Sequence, residues 1–374
     1  MSLQKLGIVG AGPAGAWLAY KLSQAGFKVL LFDARAPWDK PCAGGLDPLV
    51  WSEFPELLPL QEQALANASA RVITTRKERI EIELKNPIYT LSRKTLGQFL
   101  IERATKAGAN FARQKIAGFE PSSQGFELRD DSGEKFSIDF LVGADGAAGV
   151  VRNRLCPGWS SRDYCATVSL NLPGRVNLPL TLQYFPGVQG YAWIFPGREQ
   201  SALGMGVRAS TCKAGKIFTY LEQMVSAEPA LAQARSRLRA EAKRALIPAL
   251  RFKALCRQKV VSENWALVGD ASGAAHAASG EGIYYALKTA SLLAESLFAG
   301  EPESYQRKWW HLCKQELLGP SLWSSAFFNQ RVQDFLAGKL KQSPSARQVA
   351  MELVSCSRPA RSELLRLMFK MLFE

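Results

Sequence analysis

The apolar positions of this chain fall into short runs set between glycine-rich turns, and their period changes several times along its length. Leu6 to Val9 is an apolar strand pattern that leads at once into Gly10-Ala-Gly12-Pro-Ala-Gly15. Ala14, Leu18, Ala19 and Leu22 then recur on one helical face, which predicts a helix over 14–25 ended by Gly26. Lys28 to Phe32 predicts a second buried strand, closed by Asp33. Residues 34–60 are rich in Pro, Gly and Trp and read as a long functional loop rather than core. Alternation over 70–91 predicts strands, and a helix follows over 93–107, ending at Gly108. A short strand near 111–118 and a hairpin over 125–140 lead to the buried run Phe140-Leu-Val. Residues 163–209 are strand-like again, and 215–243 are helical with several Arg and Lys. Trp265-Ala-Leu-Val predicts a last buried strand, Gly282 to Phe298 a long helix, and 302–374 further helices.

Strand, helix and strand, then antiparallel material, then a return to buried parallel strands is the order of an interrupted domain. The expected fold is α/β (an α+β two-domain chain): a discontinuous Rossmann-like nucleotide-binding domain with an inserted antiparallel-sheet substrate domain and a helical C-terminal region. The expected boundaries are 1–59, 93–158 and 258–300 for the first, 60–92 and 159–257 for the second, and 301–374 for the third.

Composition narrows the picture further. The 374 residues are 47% hydrophobic and 21% charged, which suits a globular chain with two cores. No run of eighteen apolar residues exists, and the N-terminus lacks the layout of a signal peptide, so a cytoplasmic protein is expected. The seven cysteines are scattered without a CxxC pair, and there are two histidines, so no metal site is expected. Six of the cysteines (156, 165, 212, 256, 313, 356) read as small buried hydrophobes. The net charge of +14 fits phosphorylated cofactors, anionic membranes or acidic proteins. Without a zinc-finger spacing or recognition-helix pattern, no nucleic-acid partner is expected.

The turn at 10–15 has the physical requirements of a dinucleotide site. Gly10 permits the tight turn, Gly12 lets backbone approach a pyrophosphate, and Gly15 lets helix pack on strand. Pro13 and Ala14 open the helix whose amides would face the pyrophosphate. Asp33, followed by Ala34 and Arg35, ends the second strand where a carboxylate can bond ribose hydroxyls. This motif alone does not choose between FAD and NAD.

Two later motifs bear on that choice. Gly143-Ala-Asp145-Gly146, followed by Val151-Arg152, resembles the second motif of the glutathione-reductase-like flavoproteins, and Val268-Gly269-Asp270-Ala271 resembles their third. Gly280-Glu-Gly282-Ile283 then opens the long helix. Together with Lys40-Pro-Cys42-Ala-Gly-Gly-Leu46, Arg93 and Tyr191-Ala-Trp193-Ile-Phe195-Pro196, roughly residues 5–300 are similar to the geranylgeranyl reductase family, within the larger group related to p-hydroxybenzoate hydroxylase. The resemblance implies FAD as cofactor, held by Ala14, Asp33, Cys42, Ala43, Gly45, Arg93, Ala117, Asp270, Gly282 and Ile283, with Arg93 on the pyrophosphate. A solvated helix-start arginine is the bland alternative for Arg93.

The activity implied is reduction of FAD by NAD(P)H as a transient reductant, then reduction of carbon–carbon double bonds in a prenyl substrate. Tyr191, Trp193 and Phe195 are the candidate wall of an apolar substrate pocket, against the alternative of ordinary sheet core. Cys42 is the candidate catalytic residue, against the alternative of a packing cysteine. Two rival readings stay open. One is a flavin-dependent monooxygenase or halogenase-like enzyme acting on an aromatic small molecule or on a tryptophan of a partner protein. The other is a non-catalytic flavoprotein partner or electron carrier. In 362–373, Leu364, Leu365, Met368, Met371 and Leu372 share one helical face with basic residues outside it, a stripe that either closes the core, as most amphipathic helices do, or makes a peripheral membrane contact.

Overall fold

A computed structural model describes residues 5–212 and 214–354. The chain divides into two compact units, 1–39, 93–165 and 246–323 in the first, 40–92, 166–245 and 324–374 in the second.

The first unit is built on a six-stranded sheet. Lys5–Val9 lies at its centre, parallel to Lys28–Phe32 on one side and Phe140–Gly143 on the other. Asn110–Ala112 extends it beyond Lys28–Phe32, and Trp265–Leu267 pairs in parallel with Phe140–Gly143. Val261–Ser262 closes the edge as an antiparallel strand. The central strands read as continuous apolar runs because both faces are covered. Helix Pro13–Gln24 packs on one face together with Arg93–Lys106 and Ile283–Phe298. Its buried Trp17 donates from Nε1 to Ser291 Oγ at 2.8 Å, so the indole is satisfied inside the helix pair. A three-stranded antiparallel sheet of Ile116–Ser122, Gly125–Asp130 and Lys135–Ile138 completes this unit.

The second unit is an eight-stranded sheet. Tyr164–Pro173, Gln200–Arg208, Gly190–Phe195, Leu180–Tyr184, Leu65–Ile73 and Arg79–Thr90 follow one another in space, with Lys243–Pro248 at one edge and Gly45–Leu46 at the other. One face is an ordinary core. Val168, Leu170, Leu172, Ala192, Ile194, Leu203, Met205 and Val207 meet Ile217, Phe218, Leu221, Met224 and Val225 of helix Ala214–Ala227. Each of these large side chains, fully buried, is worth about 1.5–3 kcal/mol.

The structure departs from the sequence reading in four places. Residues 48–60 are not loop: Pro48–Glu53 is an α-helix capped by Asp47, and Pro55–Leu60 is a 3₁₀ turn. Val50, Trp51, Phe54, Leu57 and Leu60 are buried, because the prolines here start helices rather than break them. The segment 40–59 belongs to the second unit, and 159–165 and 246–257 to the first. The C-terminal helices do not stand apart: Ser304–Leu312 belongs with the first unit and Gln330–Gln342 and Pro344–Val354 with the second. Of the cysteines read as buried only Cys313 is so; Cys156, Cys165 and Cys212 are half-buried, Cys256 is exposed, and Cys356 lies outside the described residues. The amphipathic stripe at 362–373 lies outside them too. Among the described residues no helix is long and apolar enough to cross a membrane.

Candidate flavin site and aromatic sheet face

In the first unit the motifs converge at the carboxyl ends of four neighbouring parallel strands, where open α/β sheets bind their ligands. Gly10 follows Val9, Asp33 follows Phe32, Ala144 to Gly146 follow Gly143, and Gly269 and Asp270 lie just past Leu267. The glycine turn is locked by its neighbours. Gly10 has φ +105°, and a Cβ there would stand 2.3 Å from the Ala144 carbonyl oxygen. A Cβ on Gly15 would stand 1.8 Å from the carbonyl oxygen of Gly10, so helix and strand meet only because both are glycine. Gly269, at φ +59°, faces the Ala14 methyl in the same way.

Gly12 differs. It caps the helix without a side-chain bond, and a Cβ built on it would meet nothing within 4 Å. Space is thus open beside Gly12, and the first turn of Pro13–Gln24 carries no acidic side chain to oppose an anion. Asp33 anchors the turn: its Oδ2 accepts from Ala11 N at 2.9 Å and its Oδ1 from Arg35 N at 2.8 Å and Ala36 N at 3.0 Å. Ala34 and Arg35 are themselves exposed, the guanidinium of Arg35 lying over the Trp38 ring. Arg93 opens its helix with Nε buried and unpartnered, the state of a guanidinium built to meet an anion. The open cradle at Gly12 and this orphaned nitrogen both fit the pyrophosphate of FAD.

The other expected contacts sort as follows. Asp145 points inward: its Oδ2 accepts from Val151 N at 2.7 Å, Oδ1 is buried without a partner, and burial pushes its carboxyl up to about 6. It holds the start of the short helix Val150–Leu155, whose Arg152 is buried and stacks on Trp159, 3.6 Å to the ring centroid. Gly146 sits in the left-handed region beside it. Gly282 caps the helix Ile283–Phe298, and a Cβ there would stand 3.3 Å from Asp270 Oδ1, so the third motif and the helix start are adjacent. Gly280, at φ +71°, shapes the loop before it. Ala117 falls at a bulge between Ile116 and Gly118 and is exposed.

Cys42, Ala43 and Gly45 belong to the second unit. The Cys42 sulfur accepts from Gly44 N at 3.4 Å, which folds the thiol back on its own loop. Gly45 is needed there for packing: a Cβ would stand 2.7 Å from the ring of Phe195. Tyr191, Trp193 and Phe195 alternate along their strand on the face opposite the helix-covered core. Leu182 pairs with Trp193 and Tyr184 with Tyr191 across the next strand. The ring centroids run Tyr184 to Tyr191 at 5.9 Å and Tyr191 to Trp193 at 6.1 Å. Phe195 and Leu182 pack on Ala70, Leu84, Ile88 and Leu180. On the far side Gly204 leaves room for the indole, since a Cβ there would stand 2.4 Å from Trp193 Cζ2. Burial pushes the phenol of Tyr184 up to about 12. Neither Gly204 nor Tyr184 is marked by a motif; the alternation of 202, 204, 206 and 208 beside the aromatic strand is the available signal.

A two-unit α/β fold with three nucleotide motifs at the strand ends defines a flavoprotein. The FAD binding domain family matches residues 4–301, and the chain belongs to that family. It is an FAD-dependent oxidoreductase. It is 26% identical over 307 residues to digeranylgeranylglycerophospholipid reductase 2 of Methanothermobacter thermautotrophicus, covering 77% of this chain and 76% of the relative. It is 29% identical over 306 residues to geranylgeranyl diphosphate reductase of Rhodobacter capsulatus, covering 78% and 74%. The crystal structure of a geranylgeranyl bacteriochlorophyll reductase-like protein from Thermoplasma acidophilum shares the fold, with TM-score 0.76 and 17% identity over 98% of this chain and 99% of that one.

Proposed function

We propose that this oxidoreductase reduces carbon–carbon double bonds of a prenyl chain, with NAD(P)H as the transient source of electrons. The observation that carries the reading is the face of the second sheet opposite its helix-covered core, where an aliphatic strip of Ala70, Leu84, Ile88, Leu180 and Leu182 runs into the aromatic row of Phe195, Trp193 and Tyr191. An isoprenoid offers only apolar area to its binder, and such a strip recognises it by burial. The names of the relatives point the same way.

Bound FAD supplies reversible hydride chemistry. The chain's own residues hold it: the Gly12 cradle and Arg93 take the pyrophosphate, Asp33 and Asp270 the hydroxyls, and Gly282 with Ile283 presents helix amides that favour negative charge. Cys42 orders the 42–45 loop through its bond from Gly44 N.

The test is anaerobic incubation of the FAD-loaded protein with NADPH or NADH and geranylgeranyl diphosphate, followed by mass spectrometry. A gain of two hydrogens per reduced double bond supports the reading. Nicotinamide oxidation that needs oxygen and adds an oxygen atom to an aromatic acceptor would establish the monooxygenase instead. No nicotinamide oxidation with any acceptor would leave an electron carrier.

A further inference from the structure

One end of the aromatic row is closed by the chain's own C-terminal segment. Gln183 pairs with Ile73, so Tyr184 comes level with Thr74, in the turn 74–78 that leads into Arg79–Thr90. Phe327 and Phe328 lie against the Tyr184 ring, with centroids 6.0 and 6.4 Å away. Helix Gln330–Gln342 follows, capped by Asn329, and is tied to the same turn. Asp334 Oδ1 accepts from Thr75 Oγ1 at 2.8 Å, and its Oδ2 pairs with Arg76 Nη2 at 3.0 Å. Lys341 Nζ pairs with Glu78 Oε1 at 2.6 Å. Pro344–Val354 then packs on Arg79–Thr90, with Ala346 and Val349 buried.

The middle of this segment is held less firmly than its ends. Of Gln330–Gln342 only Ala337 is buried, whereas Ala214–Ala227 on the other sheet face buries Ile217, Phe218, Leu221, Met224 and Val225. Val332 and Phe335 are 37% and 47% exposed, and Gln333 Nε2 is buried without a partner. Surface ion pairs add little in water, and an unpaired buried amide counts against the closed form. A helix so attached opens locally at small cost. The sheet face beneath is loosely filled at this end: Leu182, Tyr184 and Tyr191 are half-buried, while Ala192, Ile194 and Leu203 on the opposite face are fully buried.

We propose that Gln330–Gln342 is a strap across the Tyr184 end of the aromatic row, anchored at Phe327–Phe328 and at Pro344–Val354, whose lifting sets how fast an apolar chain enters and leaves that face. The passage of a chain rests on the prenyl-reductase reading; the opening of the strap does not. The ties of Asp334 and Lys341 favour the closed form, and the stranded Gln333 amide favours the open one.

The experiment uses the FAD-loaded full chain and two readouts: amide hydrogen exchange by mass spectrometry, and the association rate of geranylgeranyl diphosphate by stopped-flow tryptophan fluorescence. In the wild type the amides of 330–342 should exchange at least about tenfold faster than those of 214–227. The double variant Asp334→Ala/Lys341→Ala should speed both the exchange of 330–342 and the association rate by about three- to tenfold. Gln333→Leu should slow both by a similar factor, since it removes the unpaired amide. Flavin content should stay at the wild-type level in each. Exchange of 330–342 as slow as that of 214–227, or exchange unmoved by the double variant, would overturn the strap. Faster exchange with an unchanged association rate would overturn its role as a gate. If the strap opens as expected and the wild type binds no geranylgeranyl diphosphate, it is the prenyl-reductase reading that fails.

Discussion

The turn Gly10–Gly15 in the first unit and the strand Gln200–Arg208 in the second both depend on glycine, and for opposite reasons. At Gly10 and Gly15 the absent Cβ lets backbone touch backbone, at 2.3 and 1.8 Å from carbonyl oxygens, and nothing there can yield. At Gly204 the absent Cβ makes room for a side chain, the indole of Trp193. Gly12 belongs to neither group, because its missing Cβ faces open space. One residue type thus serves main-chain closure, ligand approach and the seating of a ring, and substitution separates the three.

The largest effect is expected at Gly15→Ala, where the new methyl meets a carbonyl with no flexible neighbour to move. Loss of folded protein, or a stability loss of more than about 3 kcal/mol by circular dichroism, is the expected outcome. Gly12→Val should instead fold like the wild type and lose at least about tenfold in flavin affinity, read from the absorbance of bound flavin. Full occupancy in that variant would remove the turn from the pyrophosphate site. Arg93→Gln breaks a charge-assisted contact, and flavin should bind about 10–100-fold more weakly with the fold intact.

Smaller effects follow in the second unit. Gly204→Ala should displace Trp193 at a cost of about 1–3 kcal/mol, leaving flavin content unchanged while prenyl binding falls. Should flavin leave with it, the division of labour between the two units is wrong.

The smallest effect is electrostatic. Asp145 has an ordinary value of 3.8 raised to about 6 by burial, so between those values the folded protein holds a proton that the unfolded chain has lost. Stability from this group is therefore present below pH 4 and declines as pH rises through 6. Asp145→Asn keeps an acceptor for Val151 N and should flatten that slope, by about 1–2 kcal/mol given the partial exposure of the site. Parallel pH–melting curves for the two proteins would show that Asp145 does not titrate there.

The first unit is largely legible because its signals are local. Gly10, Gly12, Gly15 and Asp33 lie within twenty-four residues, and each strand is announced by an unbroken apolar run. Residues 48–60 read as loop because proline suggests a breaker, whereas here it occupies helix starts. The tail reads as one helical region because periodicity tells what a segment forms and not what it packs on. Trp193 stands out by its motif, whereas Gly204, whose missing Cβ seats the indole, lies on the neighbouring strand and carries no motif of its own.

The order of strands in the first sheet has a consequence for how the chain is made. Lys5–Val9 finds its partner Phe140–Gly143 only after more than a hundred further residues, and that partner's other edge waits for Trp265–Leu267. At roughly 5–20 residues per second, the ribosome needs on the order of 10–50 s to deliver that last strand after the first. Throughout this interval the chain carries an apolar strand with an unpaired edge, the kind of surface that holding chaperones recognise. Nascent chains arrested just before residue 265 should accordingly be protease-sensitive, and chains arrested well past 267, with the last strand clear of the exit tunnel, should become resistant in a single step.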